Sequence, residues 1–459
     1  MRALLVTPEE RGSGFEDIMW LRAQEFVRTL EGMGVEVLPI SVETMAQIEP
    51  STFRRELEAF RPDFTLSVNF NYLLIGAARR SIFAAIEDQQ APIIATWDDP
   101  LGGVANALYY YWKSRGEERF ARLPIARRAL DRVNRQWSRF PDWIRQRVRI
   151  TAEERANTLK HFRRFMHHPL VVHFAWDSGH IETLKRLDLV DPKRVHWYPI
   201  ATYAPFIACG DRRGSSPETR DLAFCGNLYP DTVERSDYWW DEHLGPIVRE
   251  VCDAKLVALD RPVWSILTER LASLSPSQRR RWRLRLEDRE FWDFYLFVVW
   301  KAATTEVRRR LLEQIDREVS IFGMFGESES QSHMDSWRNL RFEGNASHFE
   351  QLPEVFSSTR INLCISNGLI HQGMPSKLID CLASGGFALC DTKQDLMRFF
   401  GSDVEPILFR NAEELNKKID YFLAHPDQRE SITHSLRARV RSECTLERFF
   451  SRVLEVITA

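Results

Sequence analysis

The chain has 459 residues, 63 Lys+Arg against 65 Asp+Glu, a formal charge of -2 and 44% hydrophobic residues, which at about 100–200 residues per domain makes two or three globular domains. The balanced charge excludes a whole-chain nucleic-acid or membrane coat, though not local patches, and the 12% aromatic share excludes disorder. No apolar run approaches the roughly 18 residues of a membrane helix.

Residues 2–6 (RALLV) read as a strand, followed by a polar loop with Gly12, Ser13 and Gly14. Ile18, Leu21, Phe26, Val27 and Leu30 recur near a helical period, Gly32 and Gly34 end the helix, and 35–40 reads as a second strand. Further strands are predicted at 64–68, 92–97, 170–174 and 195–199. Apolar strands alternating with helices predict an α/β fold with a parallel sheet covered on both faces. Ligands of such sheets sit at the carboxyl ends of the strands, where Gly12, the 69–71 loop, Asp98 and Asp99 fall. Residues 105–168 break the rhythm with an Arg-rich helical stretch carrying Trp112, Phe120, Trp137, Trp143 and Phe165. It reads as a solvated helical hairpin or as a basic patch for a polyanion or membrane surface.

Residues 207–220 (IACGDRRGSSPETR) have the composition of a linker, which divides the chain into domains at 1–206 and 216–444. Leu222 to Asn227 reads as a strand ending in glycine, and 231–315 as a second helical insertion. The two insertions are read as building an acceptor side. Strands follow at 319–323, 360–366 and 386–391, with helices at 376–382, 412–423 and 446–457. The seven Cys show no CxxC spacing, which predicts a reducing cytosol with neither disulfides nor structural zinc. The N-terminal apolar stretch is shorter than the ~7–15 residues of a secretory core, so a cytoplasmic location is expected. His167, His168 and His173 lack metal-ligand spacing with nearby Cys or acids, so no metal site is expected.

The most informative segment runs from His371 to Gly386, after a strand and into a helix. Pro375 suits helix entry, and the first turn leaves free N–H groups for an anion. Gly373 lets backbone approach a ligand closely. Lys377 adds a full charge for a phosphate, and Asp380 on the same face can accept two ribose hydroxyls. The same spacing also fits an ordinary capped helix with a Lys–Asp surface pair.

Five segments together resemble one family: FCGN at 224–227, SIFG at 320–323, INLCIS at 361–366, QGMPSKLIDCLASGGFALCDT at 372–392 and ELNKKIDYFLAHPDQRESI at 414–432. They look like the CgeB-like (spore-maturation) glycosyltransferases. TWDDP at 96–100 and VHWYPIA at 195–201 extend the likeness more weakly into the N-terminal half. The resemblance implies a GT-B fold, two Rossmann-like domains facing across a cleft, with helical insertions and a last helix (about 445–459) crossing back to the first domain. It implies a donor site with Gln372, Lys377 and Asp380 at the family's positions, to which the reading adds Gly226, Asn227, Gly323, Asn367, Gly373, Pro375 and Ser376, and His371, which as a lone histidine equally fits a structural role. The donor is a nucleotide-diphosphate sugar such as a UDP-sugar, used without a metal or other cofactor. Asp380 stands where the family usually has Glu, and Gln372 where wider relatives carry another Glu, so the chain departs from the pattern at both.

The implied activity is glycosyl transfer to a protein or glycan acceptor. Lys377 and the amides around it would stabilise the departing diphosphate, and Asp98 or Asp99 would activate the acceptor hydroxyl. Both aspartates equally fit a turn or cap before Pro100. Gly12, Ser13 and Gly14 would let the acceptor-domain backbone approach the donor phosphates, and they equally fit a plain loop. The uncharged Gln372 keeps open an inactive nucleotide- or glycan-binding module in surface-structure assembly, and another GT-B enzyme such as a nucleotide-sugar epimerase is a further alternative.

Overall fold

Short apolar strands joined by amphipathic helices bury both sheet faces only when the helices cover them, and this chain does so twice. The computed structural model describes residues 1–8, 15–67, 80–97, 101, 163–212, 218–286, 288–323 and 338–459. Among them the first sheet holds β1 (Arg2–Thr7), β2 (Glu36–Ser41), β3 (Phe64–Ser67), β4 (Ile93–Trp97), β5 (Val171–Ala175) and β6 (Val195–Trp197). All pair in parallel in the order β2-β1-β3-β4-β5-β6. The second holds β7 (Arg220–Cys225), β8 (Val319–Phe322), β9 (Leu340–Gly344), β10 (Thr359–Cys364), β11 (Ala388–Asp391) and β12 (Leu408–Phe409). These too are parallel, in the order β12-β11-β10-β7-β8-β9.

In the second sheet the chain builds outward from β7 to β8 and β9, then returns to lay β10 on the other flank of β7. The strand order therefore reverses between β7 and β10, the position at which open α/β sheets form a ligand crevice beyond the carboxyl ends of their strands. The Ser376–Ala383 helix follows β10 out of that crevice.

Two apolar clusters hold the molecule together. One joins Ala3, Leu5 and Phe26 of the N-terminal part to Phe224, Leu363 and Phe450 of the rest. The other joins Leu4, Val6 and Ile93 to Trp264, Phe294 and Val298 of the second insertion, and to Leu369. That insertion is helical, as its composition predicts. It includes a π-helical stretch, Phe297–Ala303, leading into the helix Thr304–Glu313. The Leu446–Thr458 helix lies on the Phe15–Gly32 helix, where Phe450 meets Phe26 edge to face at 5.1 Å.

Three local features differ from the sequence reading. Residues expected to begin a linker instead form the helix Ala204–Asp211, with Pro205 in its first turn and Phe206 and Cys209 buried. β9 lies at a sheet edge and buries only Leu340 fully, so it carries no apolar run. The Pro426–Glu443 helix buries a narrow stripe of Arg429, Thr433, Leu436 and Val440, too polar to read as periodic. All seven cysteines are buried and free. Among the described residues no helix is long and apolar enough to cross a membrane.

Candidate active site

The loop between β10 and the Ser376–Ala383 helix is pinned from both sides. Ser366 N–H donates to Asp391 Oδ1 at 2.7 Å, and Gly368 N–H to Thr304 Oγ1 of the insertion at 2.9 Å. Asn367 Oδ1 accepts from Ile370 N–H at 3.3 Å, which closes a tight turn. From the first domain, Asp177 caps the Ser178–Arg186 helix by accepting from Gly179 and His180. The same carboxylate accepts from His371 N–H at 2.8 Å and Gln372 N–H at 3.0 Å. His180 Nε2 bonds Leu369 O at 2.7 Å. One buried carboxylate thus organises four amides across the two domains. Burial alone would raise its pKa, but His180, His371 and the Gln372 and His371 amides outweigh that and hold it below the usual range.

The loop's side chains are largely committed. His371 is buried with its ring 4.1 Å from that of His180, and burial first, then the His180 charge, pushes its pKa well down. Gln372 donates to Asp260 O at 3.3 Å and accepts from Gln394 N–H at 3.2 Å. A Cβ on Gly373 would lie 2.6 Å from the Trp176 ring, so this glycine admits a tryptophan of the other domain where the sequence suggested a ligand. A Cβ on Gly323 would lie 2.2 Å from Gly226 O, so the ends of β7 and β8 touch backbone to backbone.

Lys377 differs from its neighbours. It stands in the first turn of the Ser376–Ala383 helix, which Pro375 caps, and it is half-buried. No hydrogen bond or ion pair reaches its Nζ among the described residues, and the Ser376 and Lys377 N–H groups also lack partners. Burial lowers its pKa, opposed by the nearby Cys225 thiol. A free ammonium beside unpaired amides at a helix start is a place for an anion. Asp380 is 1% exposed, and its Oδ1 accepts from Thr202 Oγ1 at 2.7 Å. Burial pushes its carboxyl up to about 6. The proposed ribose acceptor is therefore already engaged by the chain itself.

Gly12, Ser13, Gly14, Asp98 and Asp99 lie outside the described residues, as does the 105–168 insertion up to residue 162. Sequence reading passed over Asp177, His180, Thr202 and Arg308. For Asp177 a signal was present: an Asp followed by Ser178 and Gly179, just past a strand, is a helix-cap pattern. The second insertion, read as acceptor-side, places Thr304 and Thr305 against the loops of the second sheet, where Thr305 Oγ1 accepts from Tyr229 N–H at 3.1 Å. A separate groove at the amino ends of β7, β8 and β10 is lined by Arg317, Arg360, Glu218 and Glu343 among others. Its Arg360 pairs with Glu218 and Asp221, so the charges there cancel. Among the described residues no group of three or more His, Cys, Asp or Glu is placed to hold a metal ion.

Residues 306–455 match the model of a family described as glycosyl transferase-like. No curated protein sequence matches the chain. A solved sucrose-phosphate synthase from Thermosynechococcus elongatus superposes with a TM-score of 0.52 at 10% identity, over 99% of this chain and 98% of that one. A glycosyltransferase from Rickettsia africae is similar at a TM-score of 0.47 and 11% identity, over 99% and 97% of the two chains. Anabaena HepE, solved with UDP and glucose, is similar at a TM-score of 0.46 and 9% identity, over 100% and 99%. The architecture of two facing Rossmann-like domains is GT-B.

Proposed function

We propose that this glycosyltransferase of GT-B architecture takes a sugar from a nucleotide-diphosphate sugar, such as a UDP-sugar, and passes it to a protein or glycan hydroxyl in the cytoplasm. We place it with the CgeB-like enzymes that its 372–392 segment resembles. The observation that carries this reading is Lys377, a half-buried cation without a partner among the described residues, at the helix start beside the second sheet's switch point.

Glycosyl transfer breaks the bond between the sugar and the diphosphate oxygen, and the electron pair stays with the diphosphate. Lys377 and the N–H groups of Ser376 and Lys377 are oriented before reaction, so they stabilise that growing charge without reorganising. The reading assigns this task to side chains and amides rather than to a metal ion. The acceptor proton goes to a carboxylate of the first domain, Asp98 or Asp99. Gln372 and Gly373 shape the loop, whose position Asp177 sets.

Thermal unfolding of the full chain against a panel of nucleotide sugars tests the reading. A ligand bound only by the native state at 100 times its Kd adds about 2.7 kcal/mol, enough to raise Tm measurably. One or a few activated sugars should raise Tm while free sugars do not. A panel with no effect overturns the proposal.

A further inference from the structure

The second insertion brings two more cations to the same crevice. Arg308, on the Thr304–Glu313 helix, donates from Nε to Ile365 O at 3.1 Å and from Nη1 to Asn227 O at 3.0 Å. Ile365 follows β10 and Asn227 follows β7, so the guanidinium spans the gap where the strand order reverses. Arg308 is only 7% exposed. No carboxylate pairs with it among the described residues, and no hydrogen bond reaches Nη2. Burial lowers its pKa to about 10, which leaves it charged at neutral pH. Asp391 attracts it from nearby, but that carboxylate is already paired with Lys393 at 2.7 Å. A buried cation with no carboxylate in contact is costly, and the arrangement persists most economically when an anion from outside completes it.

Lys301 lies one turn-pair earlier, in the π-helical stretch Phe297–Ala303. Its Nζ sits 3.7 Å from the centroid of the Tyr229 ring, and Tyr229 Oη accepts from Asn227 Nδ2 at 3.0 Å. Arg308 thus donates to Asn227 itself, and Lys301 lies on Tyr229, to which Asn227 donates, so both cations border the segment that follows β7. No carboxylate pairs with Lys301 among the described residues. The wide turn is locked by contact: Thr304 Oγ1 donates to Val299 O at 2.8 Å and accepts from Gly368 N–H at 2.9 Å. π-Turns of this kind often mark functional positions, because the extra residue re-aims a side chain.

We infer that Arg308 and Lys301, reaching in from the helical insertion, hold the donor's diphosphate together with Lys377. This rests on the nucleotide-sugar reading above and names the groups that grip its charged part. Two phosphates meet three positive charges, and the guanidinium fork suits paired phosphate oxygens. When the sugar leaves, the electron pair of the broken bond stays on the phosphate oxygen, and the acceptor's proton goes to the base already described.

The test is calorimetric binding of UDP, GDP, ADP and dTDP, and of their monophosphates, to the full chain and to Lys301→Gln, Arg308→Gln and Arg308→Lys. The unsubstituted protein should prefer one diphosphate over its monophosphate. Lys301→Gln and Arg308→Gln should each weaken that diphosphate roughly tenfold or more, as loss of a charge-assisted bond implies. Monophosphate affinity should change far less, and Arg308→Lys should recover part of the loss. A merely structural role would weaken both nucleotides alike. If Arg308→Gln does not fold, Lys301→Gln and Arg308→Lys carry the comparison. Diphosphate binding that survives all three variants but disappears in Lys377→Ala overturns this inference and leaves the donor reading standing. Absence of any nucleotide binding by the unsubstituted protein overturns both.

Discussion

At the scale of single residues, Lys377 and Asp380 sit on one short helix and have opposite fates. Lys377 has no partner in the described chain, so Lys377→Ala should leave the fold intact. A charge-assisted hydrogen bond contributes about 1.5–3 kcal/mol, so donor affinity or turnover should fall about tenfold to a hundredfold. Steady-state kinetics at several donor concentrations measures this. Asp380 is buried, and its carboxyl is pushed from 3.8 up to about 6. Between those values the native state binds a proton that the unfolded chain has lost. Its contribution to stability is therefore complete below the unfolded pKa and fades as pH rises through 6, on the order of 3 kcal/mol in all. Asp380→Asn keeps an acceptor for Thr202 Oγ1 and removes the charge. It should raise Tm at pH 8 and give no gain at pH 4, which thermal unfolding at the two pH values reads directly.

At the scale of elements, the loop before the Ser376–Ala383 helix behaves as a clasp between domains. Its conformation depends on a carboxylate far away in sequence, since Asp177 accepts from His371 and Gln372. It also depends on Gly373, where a Cβ would stand 2.6 Å from Trp176. Trp176 is buried and Asp177 Cβ would stand at 2.8 Å as well, so Gly373→Ala should cost about 1–3 kcal/mol, as overpacking does. Chemical denaturation with an unchanged m-value checks this, and a neutral effect would mean that Trp176 moves aside. The glycine was legible as a site of close approach, but which group approaches was not. A missing side chain marks the space without naming its occupant.

At the scale of the whole molecule, the last helix closes the structure on the first. Phe450 is fully buried and meets Phe26, which precedes it by more than four hundred residues. Phe450→Ala should destabilise the chain by about 3–5 kcal/mol, the range for large aromatic truncations in cores. Because one apolar cluster runs through both sheets, the loss should appear as a single shifted transition rather than as separate melting of one part. Two resolved transitions in calorimetry would contradict that.

The amino-acid sequence by itself determined where ten of the twelve described strands lie, the helical character of the second insertion and the helices near 18–30, 376–382, 412–423 and 446–457. Apolar runs and helical periodicity are local properties, read within a window of ten or so residues. It also marked the helix after β10 as a candidate anion site, because Pro375, Lys377 and a glycine-bearing loop are neighbours in the chain. Edge strand β9 and the Pro426–Glu443 helix were among the elements that escaped, since each buries too narrow a stripe to set a pattern, as was the two-residue strand β12, too short to show one. Only the tertiary structure decided that Arg308 spans the ends of β7 and β10, that Asp177 sets the loop, and that Thr202 claims Asp380. Those pairings join residues 57 to 195 positions apart. Whether a charge is satisfied depends on what folding brings within hydrogen-bond reach, a fact that spacing along the chain does not contain.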